Sequence, residues 1–319
     1  MMHFISSLAP DLLKFIEFKQ SRGSVYGKRI VRRLRSFDRF VAHHSTGSRK
    51  PRLKHLITKW LACKEGRHPE TVRCELSTIR QFCLFLRRRD PKVFVPDLSL
   101  GPTWKQIPRH KPYIYSIEEV NLLLDCADEL APAFRGLTIR TMIVMLYCTG
   151  IRPGEALRLQ IQDVNLKTKA LLVRKSKGKT RWVPFHDDLK RCIHRYISER
   201  KKITPAFPAS SLFSQPNGRP YSDITICQII RELLHKSGLK PSRGRQGPRL
   251  YDLRHTHATH VLIRWYKEGK DLHAMLPLLS AYMGHDHLLG TQVYLTATPE
   301  LLEVASRRFE DRFHTKRGP

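Results

Sequence analysis

Over residues 1 to about 90, apolar positions return at intervals of three and four with basic residues between them. Such spacing predicts helices that each bury one face. One runs from Leu8 to about Phe18. A second, from Val25 to Val41, carries Ile30, Leu34, Phe37 and Val41 as its stripe. A third opens after Pro69-Glu70-Thr71 and places Val72, Leu76, Ile79, Phe82, Cys83 and Leu86 ahead of Arg87-Arg88-Arg89, with proline at a helix start. Residues 1–95 are therefore expected to form a small helical bundle. Prolines at 96, 102, 108 and 112 interrupt any period and predict a linker over 96–112, leaving 113–319 as a second domain.

That second domain mixes patterns. Ile139 to Cys148 is almost continuously apolar and too long for a buried strand, which predicts a buried helix. Gly150 stops it, and Arg152-Pro153 opens another helix that carries Glu155 and Leu159. Ala170–Arg174 and Arg181–Phe185 read as short strands joined through Lys175-Ser176-Lys177-Gly178-Lys179-Thr180, a lysine-rich hairpin tip. Period-2 geometry would put several of these lysines on one face. From about Ile224 to Phe313 the chain is expected to be mostly helical, and Leu301, Ala305, Phe309 and Phe313 form a closing apolar stripe. The expected fold class is mainly α with a small antiparallel β-hairpin.

Charge narrows the function. Against 28 Asp+Glu stand 58 Lys+Arg, a net charge of +30 and a pI near 10.3. The first 110 residues hold 24 basic and 8 acidic residues, so about half the excess sits in a third of the chain. A polyanion is the natural partner, although a solubilising surface or a ribosome-associated protein would also fit charge alone. Arg29, Arg32, Arg33, Arg35, Arg87 and Arg88 are candidate phosphate contacts, with a solvated helix face as the alternative. The seven cysteines (63, 74, 83, 126, 148, 192 and 227) include no Cys-x-x-Cys pair and read as reduced core residues. No apolar run approaches the ~20 residues of a membrane span, so a soluble, intracellular protein is expected, without membrane partners.

Chemistry concentrates late in the chain: Arg152, then Arg254 in Tyr251-Asp252-Leu253-Arg254-His255-Thr256, then Gly284-His285, then Tyr294 nine residues further. A phosphodiester is anionic, and a nucleophile can approach it only when its non-bridging oxygens are neutralised, which arginine does as a fixed charged fork. A tyrosine hydroxyl can then attack phosphorus and store the bond covalently, which makes ATP unnecessary. His255, His257 and His260 could suggest a metal site, but no cysteine or carboxylate cluster accompanies them, so neither metal nor cofactor is expected.

These blocks resemble the tyrosine recombinase (phage integrase) family. The resemblance spans roughly residues 112 to 300 and is carried by Thr149-Gly150-Ile151-Arg152-Pro153-Gly154-Glu155-Ala156-Leu157-Arg158-Leu159, by Leu253-Arg254-His255-Thr256, by Met283-Gly284-His285 and by Tyr294. It implies a helical core-binding domain ahead of a mixed α+β catalytic domain. It also implies a site-specific recombinase or integrase that cuts and rejoins DNA through a 3′-phosphotyrosyl link, with Tyr294 as nucleophile and Arg152, Arg254 and His285 on the phosphate. Glu155 matches the acidic residue that orients its neighbours, or else pairs with a surface base.

Family sites take a leaving-group proton from a hairpin lysine. The usual offset of five before Arg181 lands on Ser176, so a shortened hairpin makes Lys177 the first choice and Lys175 the second; alternatively all three lysines only touch phosphates. Tyr251 stands where the family usually has histidine, and at an ordinary pKa it can donate a hydrogen bond but is a poor base. Expected partners are double-stranded DNA carrying a specific site and, in synapsis, a homotetramer whose tail stripe docks on a neighbour, unless it caps its own domain. A bacterial, cytoplasmic, nucleoid-associated location follows from the resemblance. A type IB topoisomerase, or a catalytically silent DNA-binding relative, are the alternatives.

Overall fold

The computed structural model describes residues 4–24, 26–45, 52–103, 112–176, 179–204, 207–241, 247–285, 287, 303, 306–307 and 310, with the side chains of Lys175 and Ser176 outside the description. The chain divides into two compact units, Met1–His110 and Lys111–Pro319. Mainly helical, with one small antiparallel sheet, it has the expected fold class.

In the N-terminal unit the helices are α1 (Ala9–Ser21), α2 (Lys28–His44), α3 (Leu53–Ala62) and α4 (Pro69–Leu86). Their apolar stripes meet in one core containing Leu12, Phe15, Leu34, Phe37, Trp60, Ile79 and Phe82. Trp60 comes from α3, a helix not foreseen from the sequence, and its ring meets Phe37 edge-on at 5.4 Å. The buried Asp38 carboxylate pins the start of the chain, accepting from Ile5 N at 2.7 Å and from Ser6 Oγ at 2.6 Å. Beyond α4, Arg80 donates to Pro96 O (2.6 Å) and Arg73 to Pro102 O (2.8 Å). The proline-bearing segment thus runs along α4 at least to Pro102.

The C-terminal unit is built on α6 (Ala133–Thr149), which packs against α5 (Ile117–Asp128), α8 (Asp187–Ile203) and α10 (Asp252–Lys267). Residues on every side of α6 are buried, among them Ile139, Met142, Ile143, Met145 and Leu146. Its threonines survive burial because Thr138, Thr141 and Thr149 each return their hydroxyl to the carbonyl four residues back, at 2.6–2.7 Å. Gly150 ends the helix in the left-handed region (φ 60°). A Cβ there would also lie 2.5 Å from the His257 ring, so both backbone and space demand glycine.

After it comes α7, Pro153–Ala156, a single turn rather than the longer helix expected to reach Leu159. Tertiary pairing stops it: Leu212 N donates to Leu159 O at 2.7 Å, and Gln160 bridges Ser211 in antiparallel fashion. The sheet follows, with β1 (Val164–Asn165), β2 (Ala170–Ser176) and β3 (Lys179–Pro184) in sequential antiparallel order. Its strands reach further into the lysine run than expected. A register shift between Val173 and Ser176 also breaks the strict alternation that a shared lysine face requires. α9 (Asp223–Lys236) and α11 (Leu272–Met283) also belong to the unit, in keeping, among the described residues, with the helical character expected there. All seven cysteines are free, but Cys63, Cys148 and Cys227 are exposed rather than core residues.

Candidate active site

Three chain turns bring the candidate residues together. Arg152 is the N-cap of α7, its backbone N–H donating to Glu155 Oε2 at 3.0 Å while its own Nη1 donates to Glu155 Oε1 at 2.7 Å. Arg254 lies in the first turn of α10 and is almost wholly buried. The third turn is the end of α11, where Gly284 takes φ 68° and His285 N closes back on Ser280 O at 3.0 Å. This is the left-handed helix termination that glycine permits.

The two arginines converge on that last turn. Arg152 Nη2 donates to Gly284 O at 3.1 Å, and Arg254 Nη2 donates to Met283 O at 2.8 Å. Arg254 Nη1 reaches back to Gly150 O at 2.6 Å, so it ties the end of α6 to the end of α11. The same Nη2 lies 2.9 Å from His285 Nε2. Because guanidinium can only donate, Nε2 accepts, and a neutral His285 then carries its proton on Nδ1.

Glu155 does not pair with a surface base. Its fully buried carboxylate holds Arg152 on one side and, on the other, Arg181 of β3, at 2.8 Å from Oε2 and 3.3 Å from Oε1. Sequence reading missed Arg181 as a site residue. The available signal was Val183, two positions on: strand alternation puts both on the inward face, where a buried arginine needs an acid. Burial opposes the Arg152 charge, but the Glu155 hydrogen bond and field, with a smaller hydrogen-bonded contribution from Tyr251, hold its pKa above the ordinary arginine value. Tyr251 itself is 40% exposed and packs edge-on against the His255 ring.

The neighbouring histidines serve structure. His257 Nδ1 donates to Tyr147 O at 2.8 Å while its ring stacks on Tyr282. Burial pulls its pKa down to about 4, against the opposing backbone hydrogen bond and with help from the Arg254 and Arg264 charges. His260 shares a 3.0 Å hydrogen bond with Tyr147 Oη. Behind Tyr282 opens a groove of about 1350 Å³, lined by Tyr147, Pro184, His260, Leu278, Glu303 and Arg307 among others.

Tyr294, Lys177, the Lys175 side chain and the stripe of Leu301, Ala305, Phe309 and Phe313 lie outside the described residues. Of the basic candidates in the N-terminal unit, Arg29, Arg32, Arg87 and Arg88 are exposed, whereas Arg33 and Arg35 are half-buried. Arg88 sits 4.4 Å over the Phe18 ring, and Arg87 donates to Pro91 O at 3.2 Å. Among the described residues no helix is long and apolar enough to cross a membrane.

The chain is 33% identical, over 82% of its length and 85% of the other, to the putative integrase/recombinase y4rB of Sinorhizobium fredii (strain NBRC 101917 / NGR234). Among solved structures, its fold matches the Tn1549 transposon integrase in complex with transposon right end DNA. The TM-score is 0.66 at 16% identity, over 92% of this chain and 98% of that one. It also matches a lambda integrase tetramer bound to a Holliday junction, with a TM-score of 0.59 at 17% identity, over 90% and 76%. Residues 116–300 match the model of the phage integrase family, the segment that contains Arg152, Arg181, Arg254 and His285. The chain therefore belongs to the phage integrase family of tyrosine recombinases.

Proposed function

We propose that the protein is a site-specific DNA strand-exchange enzyme that works without metal or ATP. The observation that carries this reading is the convergence of Arg152, Arg254 and His285 on one short turn, Met283–His285. Two guanidiniums fixed by backbone carbonyls and a buried acid, with His285 held against Arg254, form a preorganised anion site, and preorganised donors are what a charge-accumulating phosphoryl transition state needs. Arg152, Arg181 and Arg254 against Glu155 leave two positive charges, matching the two negative charges of a phosphorane.

In this reading Tyr294 attacks the scissile phosphate. Its oxygen–phosphorus bond forms as the bond to the 5′ oxygen breaks, giving a 3′-phosphotyrosyl link and a free 5′ hydroxyl. Tyrosine loses one proton to solvent and the leaving oxygen gains one, donated by a hairpin lysine, with Lys177 first and Lys175 second. Tyr251 accepts from Arg152, which leaves its own hydroxyl proton to donate to a phosphate oxygen. The hydroxyl of a partner duplex then attacks the link, so exchange takes two DNA sites and a tetramer. The fold shared with a lambda integrase tetramer supports that assembly, and the stripe Leu301, Ala305, Phe309 and Phe313 is its docking segment. Arg29, Arg32, Arg87 and Arg88 clamp the DNA backbone.

Tyr294→Phe tests the nucleophile on nicked duplex DNA. Wild type is expected to accumulate covalent protein–DNA complex and the variant none, with DNA affinity unchanged because only the attacking oxygen is lost. Covalent product from the variant would remove Tyr294 from the role. Religation without two-duplex exchange by wild type would favour a topoisomerase instead.

A further inference from the structure

Arg181 enters the chemistry above only through its net charge, yet all three nitrogens of its guanidinium are held by the cluster. Its register explains why. Val173 pairs with Arg181 and Leu171 with Val183, so the inward face of the sheet carries Leu171, Val173 and Val183, all buried, and Arg181 points the same way. Nε donates to Tyr282 O at 2.9 Å, and Nη1 and Nη2 take the two oxygens of Glu155. Every nitrogen of the guanidinium is thus engaged by the protein, and its side chain is 13% exposed.

We infer that Arg181 is a positioning residue that divides the Glu155 charge with Arg152, leaving the Arg152 guanidinium a net attraction for the scissile phosphate while bracing the Tyr282–Gly284 turn. The inference rests on the reading of this cluster as a phosphate site. A lone Glu155, fully buried beside Arg152, would hold that arginine in place but cancel its field at short range. A second guanidinium on the same carboxylate lets Glu155 act as a fixed mount without neutralising what it holds. The brace is steric as well as electrostatic. A Cβ on Gly284 would fall 2.7 Å from Arg181 Nη1 and 2.8 Å from Cζ, so the turn that presents His285 is moulded against the Arg181 plane.

The test compares wild type, Arg181→Lys and Arg181→Gln in single-turnover cleavage. One nicked duplex carries an ordinary scissile phosphate, and another carries a methyl in place of one non-bridging oxygen, which removes its charge. On ordinary DNA, Arg181→Lys is expected to cleave about tenfold slower and Arg181→Gln about 100-fold slower, with DNA Kd within about twofold of wild type. On the uncharged phosphate the Arg181→Gln defect should shrink to less than about tenfold, since there is less charge for Arg152 to meet.

Rates equal to wild type, an undiminished defect on the uncharged phosphate, or a Kd that weakens in step with the rate would each overturn the inference. If Arg181→Gln does not fold, Arg181→Lys decides by its rate on ordinary DNA and its Kd alone, because a variant that keeps the charge is not expected to lose its defect on the uncharged phosphate. A wild type that forms no covalent complex on either substrate refutes the function reading instead. The brace is then judged by hydrogen exchange at the Gly284 and His285 amides in folded Arg181→Lys: faster exchange supports it and unchanged exchange ends it.

Discussion

In the N-terminal unit Arg29, Arg32, Arg87 and Arg88 stand at the surface of a bundle whose core does not use them. In the C-terminal unit Arg152, Arg181 and Arg254 turn inward, onto a carboxylate and the carbonyls of Gly150, Tyr282, Met283 and Gly284. The buried acids differ in the same sense. Asp38 is met by backbone N–H groups and a serine hydroxyl and fixes where the chain starts, whereas Glu155 is met by two guanidiniums and fixes where charge points. Surface arginines supply a field that tolerates motion; inward ones supply a charge at a defined place. The first kind can be lost singly at small cost, and the second cannot.

The comparison breaks most visibly at Glu155. Glu155→Ala leaves Arg152 and Arg181 facing each other without counter-charge and should cost about 3–5 kcal/mol of stability, measured by urea unfolding. Adding Arg181→Met should return part of that loss, and a single-variant cost below about 1 kcal/mol would place this cluster with the surface arginines.

The inward side also titrates. His257 has its pKa lowered to about 4 from an ordinary 6.5, so the unfolded chain binds the extra proton first as pH falls. Its contribution is therefore complete above about pH 6.5 and is lost as pH drops toward 4, on the order of 3 kcal/mol in all. Unfolding curves across that window should be flatter for His257→Gln than for wild type; parallel curves would assign the pH dependence to other groups.

The outward side should answer to salt instead. Each of Arg29, Arg32, Arg87 and Arg88 changed to Gln is expected to lower the slope of log affinity against log salt by about one, with stability within about 0.5 kcal/mol of wild type. Unaltered slopes in titrations from low to physiological salt would mean these faces are merely solvated. The smallest effect belongs to Tyr251, which lies between the two kinds, exposed yet near enough to Arg152 to help hold its charge. Tyr251→Phe should slow single-turnover cleavage by about 1 to 2 kcal/mol, one hydrogen bond, and Tyr251→His should be tolerated near pH 7; complete inactivity of Tyr251→Phe would give the hydroxyl a larger part.

What could be read in advance followed from how local the cause was. The Ile139–Cys148 run announced α6 because nothing but a buried helix suits so long an apolar stretch, and Arg152, Arg254 and His285 sat in recognisable blocks. α3 was passed over even though Leu53, Leu56, Ile57, Trp60 and Leu61 keep helical spacing, because it lacks the first-turn proline that marks α1 and α4 and is shorter than α2. α7 ended early through a partner about fifty residues away, Leu212 on Leu159, which no local pattern encodes. Arg181 served only as a ruler for counting lysines. Its meaning depends on strand pairing and on an acid 26 residues upstream.

Gly284 has a consequence for how the sequence can drift. Its missing side chain is the space Arg181 occupies, and its φ of 68° keeps it there for a second reason. Neither position can change first without penalty: a larger residue at 284 collides with the guanidinium, and loss of the arginine strips Glu155 and leaves a glycine that the backbone alone still demands. The dependence between residues 181 and 284 therefore runs one way: an arginine held at 181 requires glycine at 284, whereas the glycine is required even without the arginine.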